Sequence, residues 1–359
     1  MPRRGASAAP ATFSARAGGS ISAPSFTQTP AIYSAYHPAT FGEDKMKTLN
    51  YIAKYVEYNL KIIRCFLISD VLFHTQRLRP LLNREPDLIH PVTLNEKMCY
   101  RLLYDRKPLY TLLADKLAVR HYVASRTDEV TVAPLIKTYK STKEIDFAAL
   151  PDTFVLKCNH DSGSTIICKD KTAFDSQSAL LTLDLALKKN MYYCTREWQY
   201  KDITPTILCE EYIELFEGRD RSTTPEMLRI HCFDGNASII EADFTDEQGR
   251  EYVNVYNRKW ELQPFQIAYP HHPAFIPEPA LFYRALSAAQ ALAKDIDYCR
   301  VDLMLKDDSL YFSEITLTPQ RGKLKIIPQE WDAILGAMWQ QQAYHKTFRL
   351  PSSPEVDLR

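Results

Sequence analysis

Two apolar runs separated by a short polar turn constrain the fold of this chain more than any other segment. The first run is CRVDLMLK, at residues 299–306, and the second is LYFSEITL, at residues 310–317. Successive side chains of a strand point to opposite faces, so each run predicts a strand with one apolar and one polar face. The turn at Asp307, Asp308 and Ser309 joins the two runs into a predicted β-hairpin.

The polar face of this hairpin carries charged side chains on half-buried strands. The alternation assigns to that face Arg300, Asp302, Met304, Phe312, Glu314 and Thr316. The short turn brings Asp302 opposite the region of Glu314, and two carboxylates that close repel one another unless a divalent cation lies between them. The hairpin therefore predicts a Mg²⁺ site completed by nucleotide phosphates, with an Arg–Asp–Glu surface network as the alternative.

The composition excludes several classes of protein. With 359 residues, 45% of them apolar, the chain is long enough for two or three domains with substantial cores. The 44 basic residues balance 44 acidic ones, so no nucleic-acid partner is expected. The eight cysteines form no CxxC pair, which indicates reduced thiols in a cytoplasmic protein. Lys61, Arg64 and Asp70 interrupt the longest apolar stretches, so no transmembrane segment is expected.

The N-terminal part of the chain divides into two regions. Residues 1–45 are rich in Ala, Ser, Pro and Thr, with no acidic residue before Glu43. We interpret them as a disordered or spurious extension, with an organelle transit peptide as the alternative. From Met46 to about Leu82 the apolar spacing predicts an amphipathic helix, interpreted as a packing helix rather than one on a membrane surface. Residues 92–126 continue with helical spacing, with Asn95 as a candidate N-cap and Pro108 opening a new helix.

After Pro151 the pattern changes to short β-branched runs. These predict strands at residues 153–158, 164–168, 206–210, 227–233 and 238–244. The dipeptide Asp234-Gly235 between the last two runs predicts a tight hairpin turn. Helical patterns intervene near residues 179–189 and 280–294, so the fold class is α+β with antiparallel hairpins.

Two further segments carry residues suited to a nucleotide. Lys157 ends a predicted strand and precedes the polar turn at residues 160–164, where backbone N–H groups beside a lysine suit a triphosphate. The strand ILCE is followed by EYIE, so Glu210 or its neighbours could face an adenine or a ribose. An ordinary hairpin with a surface lysine and a strand end with solvated acids are the respective alternatives.

The order of these motifs resembles a known family. The segment RVDLML…LYFSEITLTP resembles the metal-binding hairpin of ATP-grasp enzymes, and the order of LNEKM, YDRKPLYTLLADKLAVRHYV, LPDTFVLKCNHDSGST, REWQY and CEEYIE resembles the TupA-like ATP-grasp family of teichuronopeptide biosynthesis. The resemblance implies two α+β lobes that clamp ATP, preceded by an N-terminal helical region. The implied boundaries are 46–150 for the helical region, 151–215 and 216–325 for the lobes, and 326–359 for a C-terminal helix and tail.

The resemblance also implies roles for individual residues. Lys116 and Lys157 would bind nucleotide phosphates, and a flexible loop would close over them through His160, Ser162, Gly163 and Ser164. Adenine and ribose would be held by Glu210, Glu211, the Tyr212–Ile213 backbone and Glu217. Mg²⁺ would be bound by Asp302, Glu314 and Thr316, the last replacing the Asn of many ATP-grasp enzymes. Arg300, with Lys157, would stabilise charge on the transferring phosphoryl group.

The function implied is an ATP- and Mg²⁺-dependent ligase that joins a carboxylate to an amine through an acyl phosphate. The resemblance places it in bacterial cell-surface polysaccharide or teichuronopeptide biosynthesis, with small or glycan-linked carboxylate and amine substrates and peripheral association with an assembly complex. The alternatives are a polysaccharide glycosyltransferase and a non-catalytic nucleotide-binding protein. REWQY, at residues 196–200, fits a substrate contact and a packed helix end equally well, and His231, His271 and His272 are interpreted as structural.

Overall fold

The computed structural model describes residues 41–221 and 223–341, with side chains from residue 45. Residues 1–40 of the predicted extension, and the tail from Pro351, lie outside the described residues. The helices of the described part are α1 Phe41–Leu67, α2 Asp70–Leu82, α3 Leu94–Tyr104, α4 Pro108–Ala114, α5 Val119–Arg126, α6 Ser176–Leu187, α7 Met191–Thr195, α8 Phe282–Ala293 and α9 Glu330–Ala337.

The long helix predicted from Met46 to Leu82 is two helices. Ser69 interrupts it, because its side chain accepts a hydrogen bond from the Leu72 backbone N–H at 3.3 Å and caps α2. The interpretation of this segment as a packing helix holds for only one face of α1. Tyr58 is buried, but Ile52, Val56 and Ile63, which belong to the apolar spacing of this segment, are 50%, 52% and 54% exposed.

The prediction that Asn95 caps α3 is wrong. Thr93 caps the helix and forms a capping box with Glu96. Asn95 lies inside the helix, where it is buried and accepts a hydrogen bond from the Leu324 N–H at 2.6 Å. The prediction for Pro108 is confirmed, since it lies at the start of α4.

The strands of the described part form three sheets. Their bounds are β1 Val130–Val132, β2 Leu135–Tyr139, β3 Phe154–Cys158, β4 Ile166–Cys168, β5 Ile207–Glu210, β6 Met227–Phe233, β7 Asn236–Thr245, β8 Glu251–Asn257, β9 Gln266–Ile267, β10 Tyr298–Lys306, β11 Ser309–Thr316 and β12 Ile326–Ile327. One sheet has the order β2-β5-β3-β4, a second has the order β1-β11-β10-β6-β7-β8, and β12 pairs with β9. The α+β prediction and the Asp234-Gly235 hairpin are confirmed.

The predicted helical region at residues 46–150 also contributes strands. β1 joins the six-stranded sheet, in parallel with β11, and β2 joins the four-stranded sheet. No strand was predicted for these two segments, which are only three and five residues long. The two sheets are therefore linked directly through Ala133 and Pro134, which connect β1 to β2.

The cores of the two sheets are separate. Helix α8 packs on β6, β7 and β10, and the largest hydrophobic cluster includes Ala285, Leu292, Val301 and Leu303. The core of the four-stranded sheet includes Phe154, Leu156 and Leu183, the last from α6. A second hydrophobic cluster covers part of the opposite face of the six-stranded sheet, with α3 and α9 packed on Phe233, Ile239, Val253, Val255 and Tyr298, and the rest of that face carries polar groups. No helix of the described part is long and apolar enough to cross a membrane.

Candidate active site

The hairpin of β10 and β11 has the predicted pairing at its charged end. Asp302 lies directly opposite Glu314, and Arg300 lies opposite Thr316. Beyond this point the register shifts, and Phe312 pairs with Leu303 in the hydrophobic core. The prediction that Phe312 shares a face with Glu314 is therefore wrong, because a β-bulge inserts one extra residue between them and reverses the alternation.

Arg300 and Asp302 form a buried, doubly hydrogen-bonded ion pair. Arg300 Nε donates to Asp302 Oδ1 at 2.8 Å, and its Nη2 donates to Oδ2 at 2.6 Å. The Asp302 residue is only 2% exposed and Arg300 only 7%. The Thr316 hydroxyl donates to Glu314 Oε1 at 2.8 Å, and that oxygen lies 3.8 Å from Arg300 Nη2. These four side chains form one connected network on the polar face of the sheet.

The two carboxylates of this network differ in their ionisation. Burial raises the pKa of Asp302, although the charge of Arg300 opposes that shift. Burial also acts to raise the pKa of Glu314, but the charges of Lys116 and Arg300 outweigh it, and the net shift of that pKa is downward. The Glu314 side chain is 46% exposed. An ionised carboxylate therefore faces the space between the sheets, above a fixed ion pair.

A cavity of about 380 Å³ lies beside Glu314. This volume is within the range of small-molecule sites. Its walls come from β3 and β4 of one sheet and from β10 and β11 of the other. Among its lining residues are the predicted nucleotide-binding residues Lys116, Lys157, Glu210, Glu211, Tyr212 and Ile213.

Glu210 is held between two cations. Its Oε2 lies 2.5 Å from Lys157 Nζ, and its Oε1 accepts a hydrogen bond from Arg120 Nη1 at 2.9 Å. Arg120 also donates to the Ala133 carbonyl oxygen at 2.7 Å, which ties α5 to the connection between the two sheets. Arg120 was not among the predicted site residues, although it follows Lys116 by four residues, a spacing that brings two cations to one side of a helix start.

Lys116 lies in the turn between α4 and α5. Its Nζ donates to the Asp161 carbonyl oxygen, so it reaches the loop that follows β3. Its charge also lowers the pKa of Glu314. Lys116 therefore connects the four-stranded sheet with the charged hairpin of the six-stranded sheet.

The predicted phosphate loop has a more rigid base than expected. His160 is buried, and its Nε2 lies 3.1 Å and 3.0 Å from the carbonyl oxygens of Ala186 and Lys189. The Ser164 hydroxyl donates to Asp161 Oδ1 at 2.6 Å and accepts from the Cys158 N–H at 2.9 Å. These two residues hold the loop ends, and neither lines the cavity.

The tip of this loop is exposed. Ser162 and Gly163 lie there, and Gly163 has φ +107°, which a residue with a Cβ adopts only with strain. An added Cβ at Gly163 would meet no atom within 4 Å, so the space above the tip is open.

Comparison with known proteins identifies the family of this chain. The family model described as TupA-like ATPgrasp matches residues 96–340. The chain belongs to the TupA-like ATP-grasp family. The predicted ATP-grasp fold is confirmed by this match. A comparison with curated proteins gave no match.

Solved structures similar to this TupA-like ATP-grasp protein are distant. A D-alanine–D-alanine ligase from Bacillus anthracis complexed with ATP is 18% identical, with a TM-score of 0.34, and the match covers 57% of this chain and 54% of that one. An ATP-grasp RimK domain protein from Sphaerobacter thermophilus is 13% identical, with a TM-score of 0.34 and coverage of 70% and 72%. The chain thus spans just over half the length of the Bacillus ligase.

One residue of this ATP-grasp chain that was predicted to bind the nucleotide lies outside the cavity. Glu217 is exposed and does not line it, whereas Glu214 does. The Glu214 carboxylate accepts a hydrogen bond from the Tyr212 hydroxyl at 2.7 Å and lies 3.5 Å from Lys169 Nζ. Glu214 was missed because the sequence offers four carboxylates between Glu210 and Glu217 and no means of telling which one turns inward.

The charged face of the sheet continues beyond the hairpin onto β6 and β7. Arg229 lies opposite Asp302 and forms an ion pair with Asp243. Burial is the largest cause that raises the pKa of Asp243, to about 7. His231 Nε2 lies 2.6 Å from Glu241, and its Nδ1 lies 2.9 Å from the Tyr298 hydroxyl. These contacts agree with the structural role expected for His231.

The REWQY segment is packed against the rest of the protein at its first residue. Arg196 is 2% exposed, forms an ion pair with Asp70 and donates to the carbonyl oxygens of Arg64 and Ile68. Trp198 contacts Tyr110 with ring centroids 6.2 Å apart. Of the two interpretations, the packed helix end therefore describes Arg196.

The donor set of this ATP-grasp site fits a magnesium ion bound together with phosphates. No group of three or more His, Cys, Asp and Glu side chains that could hold a metal occurs in residues 45–221 and 223–341. Mg²⁺ in nucleotide sites needs only one or two carboxylates, because phosphates and waters supply the remaining ligands. Glu314, Asp302 and the Thr316 hydroxyl would supply these protein ligands. Both Asp302 oxygens accept hydrogen bonds from Arg300, so one of them would bind Arg300 and the ion together.

Proposed function

We propose that this protein is an ATP- and Mg²⁺-dependent ligase that joins a carboxylate to an amine through an acyl phosphate. The observation that carries the proposal is the pairing of Asp302 with Glu314 and of Arg300 with Thr316, beside a cavity that Lys116 and Lys157 line. Cations on one wall and carboxylates on the other are what a magnesium triphosphate requires.

The cavity has the features of a nucleotide site. The strand end at Glu210, with the backbone of Tyr212 and Ile213, would face the adenine, while Lys116 and Lys157 would bind the phosphates. Lys157 is paired with Glu210, so phosphate binding would draw its Nζ away from that carboxylate. Glu214 is better positioned than Glu217 to accept hydrogen bonds from ribose hydroxyls, since it lines the cavity.

The charged hairpin would stabilise the phosphoryl group during transfer. Mg²⁺, bound at Glu314, Asp302 and Thr316, would neutralise charge on the phosphate oxygens. Arg300 keeps its charge at any working pH: burial favours the neutral form, but Asp302 raises the Arg300 pKa further than burial lowers it. Because Asp302 fixes the guanidinium in one orientation, little reorganisation is needed as charge develops.

No residue of the chain needs to form a covalent intermediate in this chemistry. A substrate carboxylate would attack the γ-phosphate of ATP, giving an acyl phosphate and ADP, and an amine would then displace phosphate to give an amide. The site's contribution would be positioning and charge neutralisation. The TupA-like resemblance supports further parts of the same proposal. These are a role in polysaccharide or teichuronopeptide biosynthesis, glycan-linked substrates, a cytoplasmic location and association with an assembly complex.

The proposal is tested by the release of ADP and phosphate in the presence of uronic acids or amino acids. We expect release to require ATP, Mg²⁺ and an added carboxylate, and to be lost in Lys157→Met. Lys259→Met is the matched control, because Lys259 is exposed and lies outside the cavity lining. Stabilisation by a nucleotide sugar with Mn²⁺, and none by ATP, would favour the glycosyltransferase. Tight ATP binding without turnover would favour the non-catalytic protein.

A further inference from the structure

The chain leaves β11 through a turn with an unusual backbone. Gln320, Arg321 and Gly322 follow one another with φ at +48°, +58° and +68°. Only the glycine adopts this conformation without strain, so the surroundings hold two residues with a Cβ in it. The turn lies at the charged end of the hairpin, because Thr316 ends β11 only four residues before Gln320.

Helices α2 and α3 fix the far side of this turn. Arg77 of α2 donates from its Nη1 to the Arg321 carbonyl oxygen at 3.2 Å. An added Cβ at Gly322 would lie 2.9 Å from Cys99 Sγ of α3, so no larger residue fits there. Two helices that precede the candidate site in sequence therefore impose the shape of the turn.

The REWQY segment joins the turn to the candidate site. The Thr318 hydroxyl donates to Glu197 Oε1 at 2.8 Å, which ties the start of the turn to this segment. Burial raises the pKa of Tyr200, and the charges of three carboxylates, those of Glu197, Glu314 and Asp161, add to the shift. The Tyr200 hydroxyl therefore lies between the turn and the carboxylate of Glu314.

Two guanidinium groups meet at this turn without a carboxylate partner. Among the described residues, neither Arg77 nor Arg321 forms an ion pair, and the Arg321 side chain makes no hydrogen bond. Burial lowers the pKa of Arg77, and the charge of Arg321 lowers it further, so the two cations lie close enough to repel one another. Glu197 feels both charges but is only 7% exposed and already accepts from Thr318. Positive charge at the turn is thus left for an anion from outside the chain.

A carboxylate is the anion that this position suits in a ligase. The guanidinium fork matches the two oxygens of a carboxylate. Neither arginine lines the nucleotide cavity, so an anion bound by them lies beside the nucleotide and not in its place. An acid substrate needs such a place, because its carboxylate must reach the γ-phosphate near Glu314. Arg77 precedes residues 96–340, so the match to the family model does not include it.

We propose that Arg321, together with Arg77, binds a carboxylate of the acid substrate at the turn after β11, with the Tyr200 hydroxyl as a further hydrogen-bond donor. This inference rests on the proposed function and names the site of its acid substrate. Glu197 and Thr318 are positioning residues, which hold the turn and do not touch the substrate. The REWQY segment then has two roles, since Arg196 packs against α2 and Tyr200 contacts the substrate.

The test is isothermal titration of the full chain with succinate, L-glutamate and D-glucuronate, and with inorganic phosphate for comparison. We expect at least one of the carboxylates to bind the wild type. Arg321→Met should weaken that binding by about tenfold or more, because charge-assisted hydrogen bonds are lost. Arg321→Lys should recover part of the affinity, since it keeps the charge but not the fork. The matched control is Arg258→Met, at an exposed position outside the turn and the cavity lining, and it should bind like the wild type.

Three outcomes would overturn the proposal. The first is that none of the three carboxylates binds the wild type. The second is that Arg321→Met binds them as tightly as Arg258→Met does. The third is that phosphate binds more tightly than every carboxylate and depends equally on Arg321, which would make the turn a phosphate site.

Titration of ATP with Mg²⁺ into the same proteins keeps this test separate from that of the proposed function. Arg321→Met should bind ATP like the wild type, because Arg321 does not line the cavity, and circular dichroism excludes unfolding of the variant. A wild type that binds ATP but no carboxylate would overturn only the acid site. A wild type that binds a carboxylate through Arg321 but no ATP would overturn only the nucleotide site.

Discussion

Replacing Arg300 with methionine tests the buried ion pair on which the candidate site rests. The change leaves the Asp302 carboxylate, which is 2% exposed, without its two hydrogen-bond donors. Removing one partner of a buried pair costs about 3–5 kcal/mol of the free energy of unfolding. We expect about 3 kcal/mol, the lower limit, because Arg229 also acts on Asp302 and burial already raises the Asp302 pKa, which lets the isolated carboxyl take up a proton.

A second substitution separates the orphaned charge from the lost packing. Arg300→Met with Asp302→Asn removes both charges, so the double variant should regain about half of the lost stability or more. Urea denaturation followed by circular dichroism at neutral pH gives the free energy of unfolding of each variant. The exposed pair Arg250–Asp246, with Arg250 67% exposed, supplies the control, because solvent screens it, and Arg250→Met should destabilise the protein far less than Arg300→Met.

Two results would contradict the description of Arg300 and Asp302 as a buried ion pair. Arg300→Met could prove no more destabilising than Arg250→Met, in which case the pair is not desolvated as described. The double variant could also prove no more stable than the single one, in which case an unpaired Asp302 is not the source of the loss. In both variants we expect ligase turnover to fall by about 10²-fold or more even where the protein is folded, since an oriented cation is lost from the site.

Two further outcomes are expected. Burial, and secondarily the charges of Arg77 and Arg196, lowers the pKa of His74 to about 3, so below about pH 6.5 the unfolded chain binds a proton that the folded protein does not. Between about pH 7.5 and about pH 5.5, the free energy of unfolding of the wild type should therefore fall by about 1.4 kcal/mol more than that of His74→Leu. Urea denaturation at each pH measures this difference, and pH profiles that run parallel for the two proteins would contradict it. Glu214→Gln should raise the KM for ATP several-fold while Glu217→Gln leaves it unchanged, because only Glu214 lines the cavity; the reverse order in steady-state kinetics would restore Glu217 as the ribose ligand.

The hairpin shows what local sequence pattern can and cannot determine. Two alternating runs and a short turn fix the pairing of Asp302 with Glu314, because the side-chain period of a strand is two and the turn leaves few registers. The same counting failed at Phe312, since the β-bulge before Glu314 has no sequence signature of its own. The strand period thus predicts the pairing at the charged end of the hairpin, but the bulge changes which residues face the core in its other half.

Other errors arise from partners distant in sequence. His160 belongs to a polar turn by composition, but the carbonyl oxygens of Ala186 and Lys189 draw it into the interior. Asn95 has a side chain typical of an N-cap. It lies inside α3, however, where it accepts a hydrogen bond from the Leu324 N–H, and Thr93 caps the helix. The apolar spacing of α1 identified a face and could not tell whether the protein or something else covers it.

The proposed function requires that Glu314 and Asp302 bind Mg²⁺ together with the phosphates of ATP. Isothermal titration of ATP with and without Mg²⁺ measures this in the wild type, in Glu314→Gln and in the exposed control Glu278→Gln. We expect Mg²⁺ to strengthen ATP binding by about tenfold or more in the wild type and the control, and Glu314→Gln to lose this enhancement while it still binds metal-free ATP. Full enhancement by Mg²⁺ in Glu314→Gln would show that Glu314 does not bind the ion.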